Sequence, residues 1–161
     1  MTAVSRPRRR FADNAPVAIY GTIISASVLA AAYQDTTLEI AAGMFITLLV
    51  YWLAERWSEL IGGHLRGEPL SWSYTREVFA SGWPMVQASY GPLIVLVVSD
   101  WVGASAEVAV DLALAWTIVT LFVLGFFVGR RAHLGFGGQA LSAFFVGALG
   151  MLLIGLKALL H

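Results

Sequence analysis

The chain has 161 residues, of which 58% are hydrophobic and only 12% charged, with a mean hydropathy of +0.76. Soluble domains carry about 25% charged residues, so an ordinary soluble domain is excluded and a polytopic helical membrane protein is expected. Formal charge is zero and cysteine is absent, which excludes disulfides, thiol catalysis and cysteine-ligated metal.

The basic start, "MTAVSRPRRRFADNAP", has no small-residue cleavage pattern closing the apolar run after it. Residues 1–15 are therefore expected to be a retained cytoplasmic tail, disordered to about Asp13. Residues 16–161 then form one transmembrane domain, because five apolar runs approach or exceed the ~20 helical residues that a bilayer requires. The first predicted span is 16–34, with Pro16 suited to a first helical turn. The second, 38–61, begins after "DTT", a good source of helix N-caps. A cytoplasmic loop over 62–83 follows, and Ser71 to Ala80 within it is expected either as a short helix on the membrane surface or as a plain connector. The third span covers 84–103, opened by Pro84 and kinked near Pro92. The fourth is 106–129 and the fifth 136–159.

Orientation follows from the basic residues. With the N-terminus inside, Arg6, Arg8, Arg9, Arg10, Arg56, Arg66, Arg76, Arg130 and Arg131 fall on the cytoplasmic side, and Lys157 alone lies near the outer face. Asp35, Glu39, Asp100, Glu107 and Asp111 gather outside. Five spans then place the C-terminus outside. Tyr33, Trp57, Trp83 and Trp101 lie near expected interfaces, where amphipathic rings are favoured.

Lipid gives apolar helices no hydrophobic reason to associate, so small residues four apart mark close contacts. Gly21 with Ser25, Ala26 with Ala30, Gly125 with Gly129, and Ala143 with Gly147 have that spacing, within one subunit or between subunits. A homo-oligomer is expected, with a dimer as its simplest form.

Ionisable groups inside a bilayer are costly, so they are the first candidates for function. Glu55 and Glu59 share one face of the second span with Tyr51, and His64 follows. These carboxylates and the imidazole have the chemistry to bind a divalent cation or relay a proton, with His133 approaching from the other inner loop. The plainer alternative pairs Glu55 or Glu59 with Arg56 or another inner arginine. Asp111 is the deepest outer acid, and either lines a path or reaches to the headgroups. Gln87, Ser89 and Tyr90 precede Pro92, and a broken helix with polar neighbours is one way to build a midplane site. A transport path would accordingly use Glu55, Gln87, Tyr90 and Asp111. No nucleotide loop, zinc-protease motif or serine–histidine arrangement is present, so neither an enzyme nor a cofactor is expected. The arginines suit topology and anionic lipid rather than nucleic acid.

The stretches "IYGTIISASVLAA", "LLVYWLAERWSELIG", "GRR" and "FFVGALGMLLIGLKALLH" resemble a group of small, uncharacterised five-span membrane proteins of actinobacteria. That resemblance implies a multi-pass protein of the bacterial cytoplasmic (inner) membrane. More remotely, five spans with a cytoplasmic connection after the second resemble the vacuolar iron transporter family, whose second span ends in a glutamate-bearing turn where Glu55 stands here. This likeness implies cation transport, although the first span reads "YGTI" where that family has an acid, and the 62–83 loop lacks its glutamate-rich helices. Two functions are thus expected: a small oligomeric cation or proton transporter or channel, or a non-catalytic membrane scaffold or accessory subunit.

Overall fold

The computed structural model describes residues 15–32 and 36–160. The expected tail, Tyr33 and Asp35 lie outside the described residues, and so does the side chain of Lys157. The described chain is all helical, with no strand among the described residues. Its elements are α1 (Ala15–Ala31), α2 (Thr37–Leu65), α3 (Trp72–Ser81), α4 (Trp83–Gln87), α5 (Tyr90–Trp101), α6 (Ala106–Arg131) and α7 (Phe136–Leu160). Three helices are long and apolar enough to cross a membrane: α2, α6, and α7 over Phe136–Leu153. The apolar stretch of α1, Pro16–Ala31, is shorter.

Local chemistry sets the helix ends. Thr36 caps α2 in a reciprocal box: its hydroxyl accepts from the Glu39 amide, and the Glu39 carboxylate accepts from the Thr36 amide at 2.8 Å. Ser71 and Ser105 cap α3 and α6 in the same N-terminal role. At their other ends, α2 and α5 stop on a left-handed glycine, Gly67 (φ +90°) and Gly103 (φ +85°). The following amides, of Glu68 and Ala104, reach back to the Gly63 and Ser99 carbonyls, the bond that closes a Schellman motif. After α6 the same turn is made by His133 at φ +55°, with Leu134 N–H donating to the Gly129 carbonyl.

The segment expected as one kinked helix over 84–103 is two helices, parted at Ala88–Ser89. Proline has no N–H, so Pro92 leaves the Ala88 carbonyl without its helical donor, and the ring crowds that same carbonyl. The defect therefore appears one turn before the proline. The Ser89 hydroxyl bonds the Val86 carbonyl at 2.7 Å within the break.

Around α1 are packed α2, α4, α6 and α7. The interior is filled by Leu29, Met44, Leu48, Met85 and Leu96, all fully buried, together with Ala26, Ala109 and Ala113. Three of its buried hydroxyls bond their own helices: Thr22 to the Ala18 carbonyl, Ser25 to Gly21, and Thr117 to Ala113. The outer surface carries large apolar side chains such as Ile46, Val50, Ile94, Val119, Phe144 and Phe145. A soluble monomer rarely exposes apolar surface on this scale, and a bilayer supplies its natural solvent.

Candidate functional site at the junction of α2, α3 and α4

Arg56 lies in the last third of α2 and is only 5% exposed. A guanidinium does not lose its proton in proteins, so it must be neutralised where it is buried. Its Nη2 is 2.9 Å from Glu55 Oε1, and its Nη1 donates to Glu59 Oε2. Nη1 also reaches Ser81 Oγ at 3.2 Å, at the end of α3. The Ser81 hydroxyl in turn donates to the Val78 carbonyl at 2.8 Å. Next to it, Gly82 leaves the space through which the side chain passes. A Cβ there would stand 2.4 Å from Arg56 Nε and 2.6 Å from Cδ. Arg56 thus ties the long helix α2 to the α3–α4 turn.

The tie has company. Gly63 of α2 accommodates the ring of Tyr74, whose hydroxyl would lie 2.0 Å from an added Cβ, and Val78 is buried between the helices. Trp52 stands edge-on to both Phe79 and Trp83, with ring centroids 5.5 Å apart in each case. On the outer side of this aromatic set, α2, α3 and α4 enclose a groove of about 630 Å³. A second pocket of about 440 Å³, open to the surface, lies beside Glu55 and is lined by Tyr20, Tyr51 and Ala54. Tyr20 and Tyr51 meet edge-on there, at 6.4 Å. Three atoms around the junction are buried without a hydrogen-bond partner: Trp52 Nε1, Glu55 Oε2 and Arg56 Nε.

No family model, curated protein or solved structure matches this chain.

The residues singled out in the sequence are distributed as follows. Glu55 and Glu59 come together, on either side of Arg56. The imidazole of His64 stays apart, with Nδ1 3.3 Å from the Glu68 carbonyl, and among the described residues no three His, Asp or Glu side chains form a metal-holding group. Gln87, Tyr90 and Asp111 are exposed on the outside of the bundle, and none of them lines the pocket beside Glu55. The small residues meet within the chain. Gly21 lies under Met85, whose carbonyl oxygen would be 2.3 Å from an added Cβ, and Ser25 is fully buried one turn on. Gly125 and Gly129 of α6 face Ser142, Ala143 and Gln139 of α7, while Gly147 receives the ring of Phe122. Ser142 Oγ donates across this seam to the Gly125 carbonyl at 2.8 Å.

Sequence reasoning passed over Trp52, Ser81 and Gly82. Trp52 stands four residues before Arg56 and so shares its face of α2, which was the available signal. Nothing local marks Ser81 or Gly82, because their part depends on α3 folding back against α2.

Proposed function

We propose that this chain is a non-catalytic, multi-pass protein of the bacterial inner membrane that binds other membrane components and conducts nothing. The observation that carries this reading is the commitment of Glu55 and Glu59 to the buried Arg56. Carboxylates that neutralise a fixed cation serve the fold, and a path for ions would need them free to exchange partners with water. The self-bonded hydroxyls and the fully buried apolar interior support the same reading. The chain crosses the membrane five times, with α4 and α5 together making the third crossing, and it runs from a cytoplasmic N-terminus to an external C-terminus. Supporting this orientation, α6 opens with Glu107 and closes with Arg130 and Arg131. Its exposed apolar helix faces serve lipid, a second copy in a homodimer, or a larger assembly for which it is an accessory subunit.

A second reading, a small cation or proton transporter, draws on one observation. Glu55 Oε2 is buried and unpartnered, and the open pocket of about 440 Å³ lies against the same side chain. Reconstituted vesicles separate the two. Under the first reading the protein passes protons, iron, manganese and alkali cations no faster than protein-free vesicles do. A flux well above that baseline, abolished by Glu55→Gln, would establish the second.

A further inference from the structure

The groove between α2, α3 and α4 has a composition that the tie around Arg56 does not require. Its walls are Trp52, Trp72, Phe79, Ala80 and Trp83, joined by the hydroxyl-bearing Thr75 and by Arg76. The volume of about 630 Å³ falls within the ~300–1,000 Å³ typical of small-molecule sites. Among the described residues that line the groove, Arg76 is the one that carries a charge, and none is an Asp or Glu. Its long apolar walls and single cation match a molecule with a hydrocarbon chain and an anionic head. The setting agrees: Leu53 and Trp57, on the same helix as Trp52, are exposed apolar side chains. Trp72, which lines the groove, stands 83% exposed, in the manner of an interfacial anchor. A chain from the bilayer could enter sideways without leaving hydrocarbon.

We propose that this groove holds one anionic phospholipid, an acyl chain lying against Trp52, Phe79 and Trp83 and the phosphate meeting Arg76. The proposal rests on the reading that the chain is embedded in a membrane, with α3 at the cytoplasmic face. Cytoplasmic leaflets carry anionic lipid, and one basic residue near such a surface is worth about a fivefold preference. The groove would give the protein a lipid-selective binding function.

The test uses full-length protein in mild detergent, titrated with phosphatidylglycerol or phosphatidylcholine of identical acyl chains and read by native mass spectrometry. Wild type is expected to retain one phosphatidylglycerol with at least about fivefold preference. Arg76→Gln should bring that preference close to unity. Ala80→Trp, which fills the groove, should remove both lipids. Arg131→Gln, which takes a cation from the exposed end of α6, should leave the preference intact.

Equal retention of the two lipids by wild type would overturn the proposal. So would an undiminished preference in Arg76→Gln, or an equal loss in Arg131→Gln, which would mean general surface charge. If Ala80→Trp fails to fold, Arg76→Gln against Arg131→Gln still decides, because both positions are exposed. A dimer that Ala80→Trp dissociates, with no lipid bound, would give the groove to a second copy and contradict the proposal. Binding in detergent does not depend on orientation, so its failure is distinct from a failure of the topology, which labelling reads separately.

Discussion

The Arg56 side chain runs across the α-carbon of Gly82, so closely that a methyl group on Gly82 would stand 2.4 Å from Nε. Residues 26 positions apart in the chain are thereby made to fit one another. Gly82→Ala must push the guanidinium away from Ser81 or open the α3–α4 turn. Overpacking of this kind costs about 1–3 kcal/mol, read as a lowered midpoint of unfolding in detergent. Gly43, also in α2, has nothing within 4 Å of an added Cβ. Gly43→Ala should be neutral or stabilising by up to about 1 kcal/mol. Equal effects of the two substitutions would remove the special place given to Gly82.

The seam between α6 and α7 is an intramolecular one. An added Cβ at Gly125 would be 2.8 Å from the Ser142 carbonyl oxygen, and one at Gly129 would be 2.8 Å from the Gln139 α-carbon. Backbone cannot yield as a flexible side chain can. Gly125→Leu or Gly129→Leu should therefore destabilise the monomer itself by about 3 kcal/mol or more. Ser142→Ala, which removes only the interhelical hydrogen bond, should cost about 0.6 kcal/mol, as is usual within membranes. Unfolding measurements on a strictly monomeric preparation check both. Leucine variants that stay fully stable but lose a partner would assign the seam to an intermolecular contact.

His133 occupies a left-handed position that Gly67 and Gly103 hold in the corresponding turns. A side chain in that region costs about 1–2 kcal/mol, part of which histidine recovers through its tolerance of the conformation. His133→Gly should raise stability by about 0.5–1 kcal/mol in an unfolding titration. A loss of stability would show that the imidazole makes a contact worth more than the strain.

Topology can be mapped directly, since the chain contains no cysteine. Single cysteines at Gly67 and Ala132 should react with a membrane-impermeant maleimide only after the cells are opened. One at Ala104 should react in intact cells. The reverse pattern would invert the orientation, and labelling of all three from one side would end the five-crossing account.

Much of the fold was legible because bilayer length and hydropathy act on each helix separately. The spans expected at 38–61, 106–129 and 136–159 fall inside α2, α6 and α7, and of the two forms expected for Ser71 to Ala80, helix or plain connector, the helix is present as α3. The break at Ala88–Ser89 lies one turn before Pro92, near which the kink was expected, because the missing amide of the proline is felt by the carbonyl four residues earlier. At the site, the spacing of Glu55 and Glu59 put them on one face, but it could not say what they face. Pairing of Glu55 or Glu59 with Arg56 was one reading of the sequence, yet nothing in it marked Arg56 as buried. Its burial depends on the α3–α4 turn folding back and on the bare backbone of Gly82, a tertiary event with no periodic trace.

The central claim is that the carboxylates of α2 serve Arg56. A double-mutant cycle between Arg56 and Glu59, using Arg56→Gln, Glu59→Gln and the pair, tests it most directly by unfolding in mixed micelles. Arg56→Gln alone should cost about 1–3 kcal/mol, below the 3–5 of a fully buried pair because both carboxylates remain partly exposed. The cycle should return a coupling of about 1 kcal/mol, since the two groups share one network. Additive effects, within about 0.5 kcal/mol, would contradict the claim and leave Glu59 free for other chemistry.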